Sequence, residues 1–366
     1  MFVISTRNFP PEVGGMQNLI GGLSDALINH GPVKVFAEKT HGFEEYDNIS
    51  KVDIERFGGI KIFRKYRKAN RVKEFIKNNK NIRSIFFDHW KSVEKLNSNV
   101  FENIPTICLI HSKEINHSKN SNLNSRVLKS LDKVKYIVAN SNFTKNLGIN
   151  IGLPDKKIHI IHPGHDEPMN VGSNFKDESQ KLFGESFPKI LTVARLDRRK
   201  NHQNILICIR NLKEKFPKIK YISVGDGEEK NRLLSLVKEL KLQNQVTFLD
   251  KINQELKVSL TQNSNLFLMP SIKFEKSVEG FGISFIEAAS YGVGSIGGKH
   301  GGASDAIKNN ETGLICDGND INSIYGSILK FFENDNYKKF GSNAKKFSEN
   351  FTWKKIVRKY LNLIQI

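Results

Sequence analysis

Residues 265–298, "NLFLMPSIKFEKSVEGFGISFIEAASYGVGSIGG", carry the reading that decides the fold. "NLFLMPS" is a short apolar run, the pattern of a buried strand, and "GSIGG" resumes that pattern. Between them "GISFIEAASYG" repeats its apolar residues at helical spacing and stops at Gly292. A strand followed by a helix and then another strand is the unit from which parallel sheets are wound. The helix is expected to begin near Gly282, which puts Glu279 ahead of its first turn and Glu287 inside it. The amides of Phe281, Gly282 and Ile283 would then face an anion. A carboxylate beside that anion would repel a phosphate, so each glutamate is expected to accept hydrogen bonds from neutral hydroxyls. Two polyol groups flanking a diphosphate describe a nucleotide sugar. Glu287 lies between Ile286 and Ala288, where a charge without a partner is costly.

The same alternation runs outward in both directions. "MFVIST", "VKVFAE", "IKIFR", "IRSIFFD", "TICLIHS", "KYIVANS" and "KIHIIHPG" read as strands of a first half. "PKILTVARL", "IKYISVGDG" and "QVTFLD" join the opening stretch in a second. "HPGHDEPMNVGSNFKDESQ" is polar without a strong period, and a hinge is expected near residues 166–188. The chain reads as α/β, two Rossmann-like, doubly wound parallel-sheet domains, 1–170 and 186–351. "FTWKKIVRKYLNLIQI" closes the chain as an amphipathic helix with Trp353, Ile356, Val357, Tyr360 and Leu363 on one side.

Bulk composition narrows the partners. The 366 residues are 38% hydrophobic and 26% charged, an ordinary globular balance, and the net charge is +19. That charge favours an anionic partner: nucleic acid, an acidic membrane face or phosphorylated small molecules. Cys108, Cys208 and Cys316 sit far apart in apolar runs, without metal-binding spacing, so neither a disulfide frame nor a cysteine metal site is expected. "MFVIST" lacks the basic flank of a signal peptide, and no apolar run approaches the ~20 residues of a membrane span. A cytoplasmic protein is expected, one that can still touch a membrane surface.

Ligands of open parallel sheets bind beyond the carboxyl ends of the strands. There the first strand is followed by "NFPPEVGGMQ", whose Gly14 and Gly15 let a backbone approach a ligand closely. "ARLDRRKNH" follows the first strand of the second half, and Arg195 and Lys200 could both reach a diphosphate and stabilise it as a leaving group. Arg198 and Arg199 read as solvated loop charges. Lys61–Arg83 holds ten Lys/Arg against Glu74 alone, with Tyr66, Ala69, Val72 and Ile76 at helical spacing. Such a helix either rests on an anionic membrane or packs that stripe on its own sheet; the packing reading is preferred, with the charges facing phosphate-bearing acceptors or lipid.

Together "PPEVGG", "LIHS", "ANSNFTKN", "IIHPGHD", "VARLDRRKNH", "VGDGEEKNRL" and "EGFGISFIEAASYG" resemble the retaining glycosyltransferases of family 4, of the GT-B fold and the E-x7-E type, over nearly the whole chain. The resemblance implies two domains facing a cleft, with the last helix (352–366) returning to the first. It implies Gly15 against the donor phosphate or sugar and His111, in "LIHS", reaching the transferred sugar. Arg195 and Lys200 would bind the donor diphosphate, Glu279 the sugar hydroxyls beside the Phe281–Ile283 amides, and Glu287 the ribose. No cofactor and no metal are implied, and the donor would be a UDP- or GDP-linked sugar. From the basic stretch Lys61–Arg83 the expectation is an enzyme peripheral on the inner membrane face that glycosylates a lipid-linked or envelope-glycan acceptor. Asp250 stands where the family often has glycine, and His165 where an apolar residue is usual. Alternatives are a sugar-nucleotide epimerase or glycogen-type synthase of the same fold, and more distantly a basic nucleic-acid-binding protein, although no nucleic-acid-reading motif is present. "PPEVGGMQ" is not GxGxxG, which argues against a nicotinamide dehydrogenase.

Overall fold

A computed structural model describes residues 1–101 and 103–365. The chain divides into two compact units, Met1–His165 with Thr352–Ile366, and Asp166–Phe351. Each is a doubly wound parallel sheet, as the alternation of strands and helices predicts.

The first unit carries seven strands: β1 (Phe2–Ser5), β2 (Val33–Glu38), β3 (Asp53–Phe57), β4 (Ser84–Phe87), β5 (Thr106–Ile110), β6 (Tyr136–Ala139) and β7 (Ile158–Ile160). Their order is β3-β2-β1-β4-β5-β6-β7, with every pair parallel. Successive side chains alternate between faces. Phe2 and Ile4 therefore join Leu19, Leu23, Ile356 and Tyr360 on one side, while Val3 joins Phe36, Val72 and Ile85 on the other. The final helix, Trp353–Leu363, buries Ile356, Val357, Tyr360 and Leu361 in that first cluster. Its Trp353 indole occupies space kept open by Gly22 and Gly164: a Cβ at Gly22 would lie 2.3 Å from the ring, and one at Gly164 2.5 Å. Ile366, the last residue of the expected helix, lies outside the described residues. His165 is buried, and its backbone carbonyl accepts from the Trp353 amide at 3.2 Å.

The second unit carries β8 (Lys189–Val193), β9 (Lys220–Val224), β10 (Val246–Leu249), β11 (Leu266–Met269), β12 (Ser295–Gly298) and β13 (Gly313–Cys316), ordered β10-β9-β8-β11-β12-β13 and all parallel. Connections leaving β8 and β11 run to opposite sides of the sheet order, which makes their junction the switch point where such sheets bind ligands. Leu266 and Leu268 face the cluster of Ile209, Leu233 and Ile328, and Phe267 and Met269 face Phe281, Phe285 and Ile286.

Three readings are corrected. "IKIFR" is not a strand: Lys61 opens the helix Lys61–Asn78, and the strand there is "DIERF", β3. The apolar residues of that run face solvent and not a core, with Ile62 and Phe63 65% and 64% exposed. β3 is an edge strand whose Asp53 and Glu55 are balanced by Lys34, at 2.8 and 3.6 Å. The polar segment near the hinge contains a helix, Ser173–Phe183, which buries Ser179 and Phe183. "GLIC" forms β13, a strand too short and glycine-led to register as one. Among the described residues no helix is long and apolar enough to cross a membrane.

Candidate active site

In the second unit the helix Ile283–Ser290 follows β11, with Glu279 ahead of it and Glu287 within it. Gly282 caps the helix at φ 86°, in the left-handed region, and a Cβ there would lie 2.5 Å from the Phe285 ring. Glycine is thus required for the chain to turn into the helix. The first-turn amides of Ile283 and Ser284 have no acceptor within the helix. Phe281 is buried and packs on Phe351 at 5.9 Å between ring centroids, which removes its side chain from ligand contact.

Glu279 is 9% exposed, which rules out a solvated loop acid. Its Oε2 accepts from Lys200 Nζ at 2.5 Å and from Arg199 Nη1 at 2.7 Å. Its backbone is pinned as well, with the Gly302 amide donating to its carbonyl at 2.9 Å. Burial alone would raise the Glu279 carboxyl, but Lys200 and Arg199 outweigh it and hold the group at about 2. Burial lowers the Lys200 ammonium while Glu279 opposes that. Arg199, read from the sequence as a solvated charge, is instead a largely buried partner of Glu279. Arg198 does face solvent, beside Glu229. Asp197 Oδ2 lies 3.8 Å from Arg199 Nη2, so two carboxylates balance the two cations of this cluster, and a further positive charge for an anion comes from Arg195 and the helix-end amides.

Arg195 lies on the loop after β8 and is exposed, without an ion pair or side-chain hydrogen bond among the described residues. Lys200 ends a 3-10 turn, Arg198–Lys200, that Asp197 caps by accepting from the Lys200 amide at 3.1 Å. Of the residues singled out in this unit, the fold brings Lys200 and Glu279 into contact and sets Phe281, Gly282, Ile283 and Glu287 on one element. Glu287 is half-buried and its carboxylate likewise has no partner among the described residues. Asp250 follows β10 and pairs with Lys230.

In the first unit the loops after β1, β4 and β5 meet at Asp88. Its Oδ2 accepts from the amides of Arg7 and Asn8 at 2.9 and 3.3 Å, and its Oδ1 from the Ser92 hydroxyl at 2.7 Å. Burial would raise this carboxyl, but His89 and Lys68, together with those donors, lower it. His111 Nε2 lies 3.0 Å from the Asp88 carbonyl, and the His111 amide donates to Glu114 Oε1 at 2.8 Å. Gly14 and Gly15 begin the helix Gly15–Ile28 on the first of these loops. A Cβ at Gly15 would meet nothing within 4 Å, so space outside that backbone is open. Asp88, Glu114 and Arg199 escaped the sequence reading: Asp88 and Glu114 lie outside the glycine and cation motifs, although the acid ending "IRSIFFD" was a signal. Among the described residues no group of three or more His, Cys, Asp or Glu could hold a metal ion.

Residues 13–167 match the family described as Glycosyltransferase Family 4, and residues 173–347 the family described as Glycosyl transferases group 1. An uncharacterized glycosyltransferase of Methanocaldococcus jannaschii is 30% identical over 236 residues, 64% of this chain and 59% of that protein's length. The GDP-mannose-dependent alpha-(1-6)-phosphatidylinositol monomannoside mannosyltransferase of Mycolicibacterium smegmatis is 22% identical over 335 residues, 89% of this chain and 87% of that one. The Anabaena protein HepE, solved in complex with UDP and glucose, aligns over 100% of this chain and 99% of its own with a TM-score of 0.82 at 16% identity, a likeness of fold.

Proposed function

Starting from a chain that belongs to the group 1 and family 4 glycosyltransferases of the GT-B type, we propose that it moves a sugar from a nucleotide-diphosphate sugar to a lipid-linked or envelope-glycan acceptor, with retention at the anomeric carbon. The observation that carries this reading is the buried Lys200–Glu279–Arg199 cluster ahead of a helix whose first-turn amides are free to take an anion. The diphosphate sits on those amides and on Lys200 and Arg195. Fixed cations stabilise charge that grows as the bond from the sugar to phosphate breaks, and they do so without a metal ion. Both ion pairs of Glu279 engage Oε2, which leaves Oε1 to accept from a hydroxyl of the transferred sugar. Glu287 accepts from the ribose. The acceptor oxygen bonds to the anomeric carbon on the face the phosphate leaves, and that phosphate takes the acceptor proton, so no separate base is required.

The Mycolicibacterium relative uses GDP-mannose and a phosphatidylinositol monomannoside, and HepE was solved with UDP; these support a UDP- or GDP-linked donor and an acceptor bearing phosphate and lipid. The helix Lys61–Asn78 supports the same acceptor class. Val72 and Ile76 pack inward, while Ile62, Phe63 and Tyr66 are exposed among basic residues, with Lys95 Nζ 5.0 Å from the Tyr66 ring. That mixture suits an anionic lipid surface.

The test is donor turnover with GDP-mannose and UDP-glucose, with and without polyprenyl-phosphate and phosphatidylinositol acceptors, followed by NMR of the product anomer. Transfer with retained configuration is expected. Inversion would overturn the mechanism, and donor conversion without acceptor would indicate an epimerase. Flotation with vesicles is expected to depend on anionic lipid and to weaken with salt; flotation indifferent to lipid charge would remove the membrane contact.

A further inference from the structure

A second cavity of about 380 Å³ lies in the Asp166–Phe351 unit and is lined by none of the residues assigned to the donor. It draws on the beginnings of the helices His202–Leu212 and Lys230–Glu239 and on the segment 272–274. His202 lines it, is 2% exposed, and has neither ring nitrogen hydrogen-bonded among the described residues. Burial, with Lys200 nearby, lowers this imidazole to about 3, so it is neutral at physiological pH. A neutral imidazole presents one donor and one acceptor, and leaving both unmet in the interior costs free energy.

Charges around the cavity cancel. Arg232 Nε donates to Glu229 Oε2 at 2.6 Å, and Arg198 Nε lies 3.4 Å from Glu229 Oε1. Asp197, on the same rim, adds the second carboxylate, and its Oδ2 lies 3.8 Å from Arg199 Nη2, outside the cavity lining. Arg232 Nη1 also donates to Gln203 Oε1 at 2.7 Å. Phe274 supplies an aromatic wall, its ring centroid 5.4 Å from the Arg198 guanidinium carbon. Two cations matched by two carboxylates hold no excess charge for a phosphate. What remains unmet is one donor and one acceptor on the two nitrogen edges of the His202 ring, a demand that separate hydroxyls satisfy, each giving or taking one bond. A volume of this size accommodates a small sugar.

We infer that this cavity binds a neutral carbohydrate unit at a site separate from the donor's, with His202 and the surrounding amides and carboxylates engaging its hydroxyls and Phe274 covering one ring face. The site is additional to the sugar transfer proposed above and does not depend on it.

Saturation-transfer NMR and calorimetry on the full chain test this, with methyl α-D-mannopyranoside, methyl α-D-glucopyranoside and maltose as probes. Each is run alone and with UDP or GDP present to fill the donor site, and inorganic phosphate serves as the charged comparator. Two variants are compared: Gln203→Trp, which fills the cavity from an exposed position, and Phe274→Ala, which removes the wall. At least one sugar is expected to bind with nucleotide present, and each variant to weaken it about tenfold while its melting temperature stays near that of the parent. The inference is overturned if no probe binds, if nucleotide abolishes binding, if phosphate binds there instead, or if both variants bind as the parent does.

Discussion

Lys200 and Glu279 share one buried contact, so a substitution at either affects stability and, under the proposed role, donor binding and turnover as well. Lys200→Ala leaves Glu279 with Arg199 alone and removes a cation from the departing diphosphate. Turnover is expected to fall about 100-fold or more, with a smaller change in donor affinity. Single-turnover kinetics check this, and wild-type turnover would contradict the leaving-group role. Glu287→Ala is expected to weaken donor binding by about 1–3 kcal/mol through a lost charged hydrogen bond, measured by nucleotide titration. Glu279 gives a pH signature. Its carboxyl falls on folding from 4.5 to about 2; its contribution to stability is therefore complete above about 4.5 and is lost as pH falls toward 2. Urea melts of the wild type and of Glu279→Gln should show the variant with the shallower pH dependence in that window. Sequence alone displayed Lys200 and Glu279 as members of motifs. It could not show that they touch, nor that Arg199 joins them, because adjacent loop arginines look alike until the fold buries one of them.

Elements are legible where their pattern has one period and one burial. The strands β1, β5 and β11 are short, largely apolar runs, and the helix Ile283–Ser290 keeps a clean apolar face, so both kinds could be placed within a residue or two. β3 could not, since an edge strand exposes much of its length and tolerates charge there; here Lys34 and Arg71 supply the cations that match Asp53 and Glu55. The beginning of the helix Lys61–Asn78 was mistaken for that strand because its apolar residues point to solvent and therefore do not mark a core-facing stripe. Gly282 tests the helix start. Gly282→Ala meets both the left-handed backbone and the Phe285 ring, so a loss of about 1–3 kcal/mol in stability is expected. Nucleotide affinity should fall with it, as the amides of Ile283 and Ser284 turn away. A variant with parental stability and affinity would show that this turn does not set the amides.

At the scale of the whole molecule, each unit has its own sheet and its own core, and the chain returns to the first unit at Thr352. Removing residues 352–366 would uncover the cluster that Ile356, Val357 and Tyr360 complete, at about 1.5–3 kcal/mol for each large apolar side chain. Lower melting temperature and dye binding to newly exposed apolar surface are expected for the truncated chain; a parental melt would contradict the packing of the last helix. A charge of +19 spread over the molecule draws anions toward it without choosing among them, so the choice must come from local geometry. The most direct measurement is a crystal structure with UDP or GDP bound. It is expected to show the phosphates against the amides of Ile283 and Ser284 and within reach of Lys200 and Arg195, with the ribose on Glu287. A nucleotide seated elsewhere, or Glu287 and Arg195 both remote from it, would contradict the assignment of this unit to the donor.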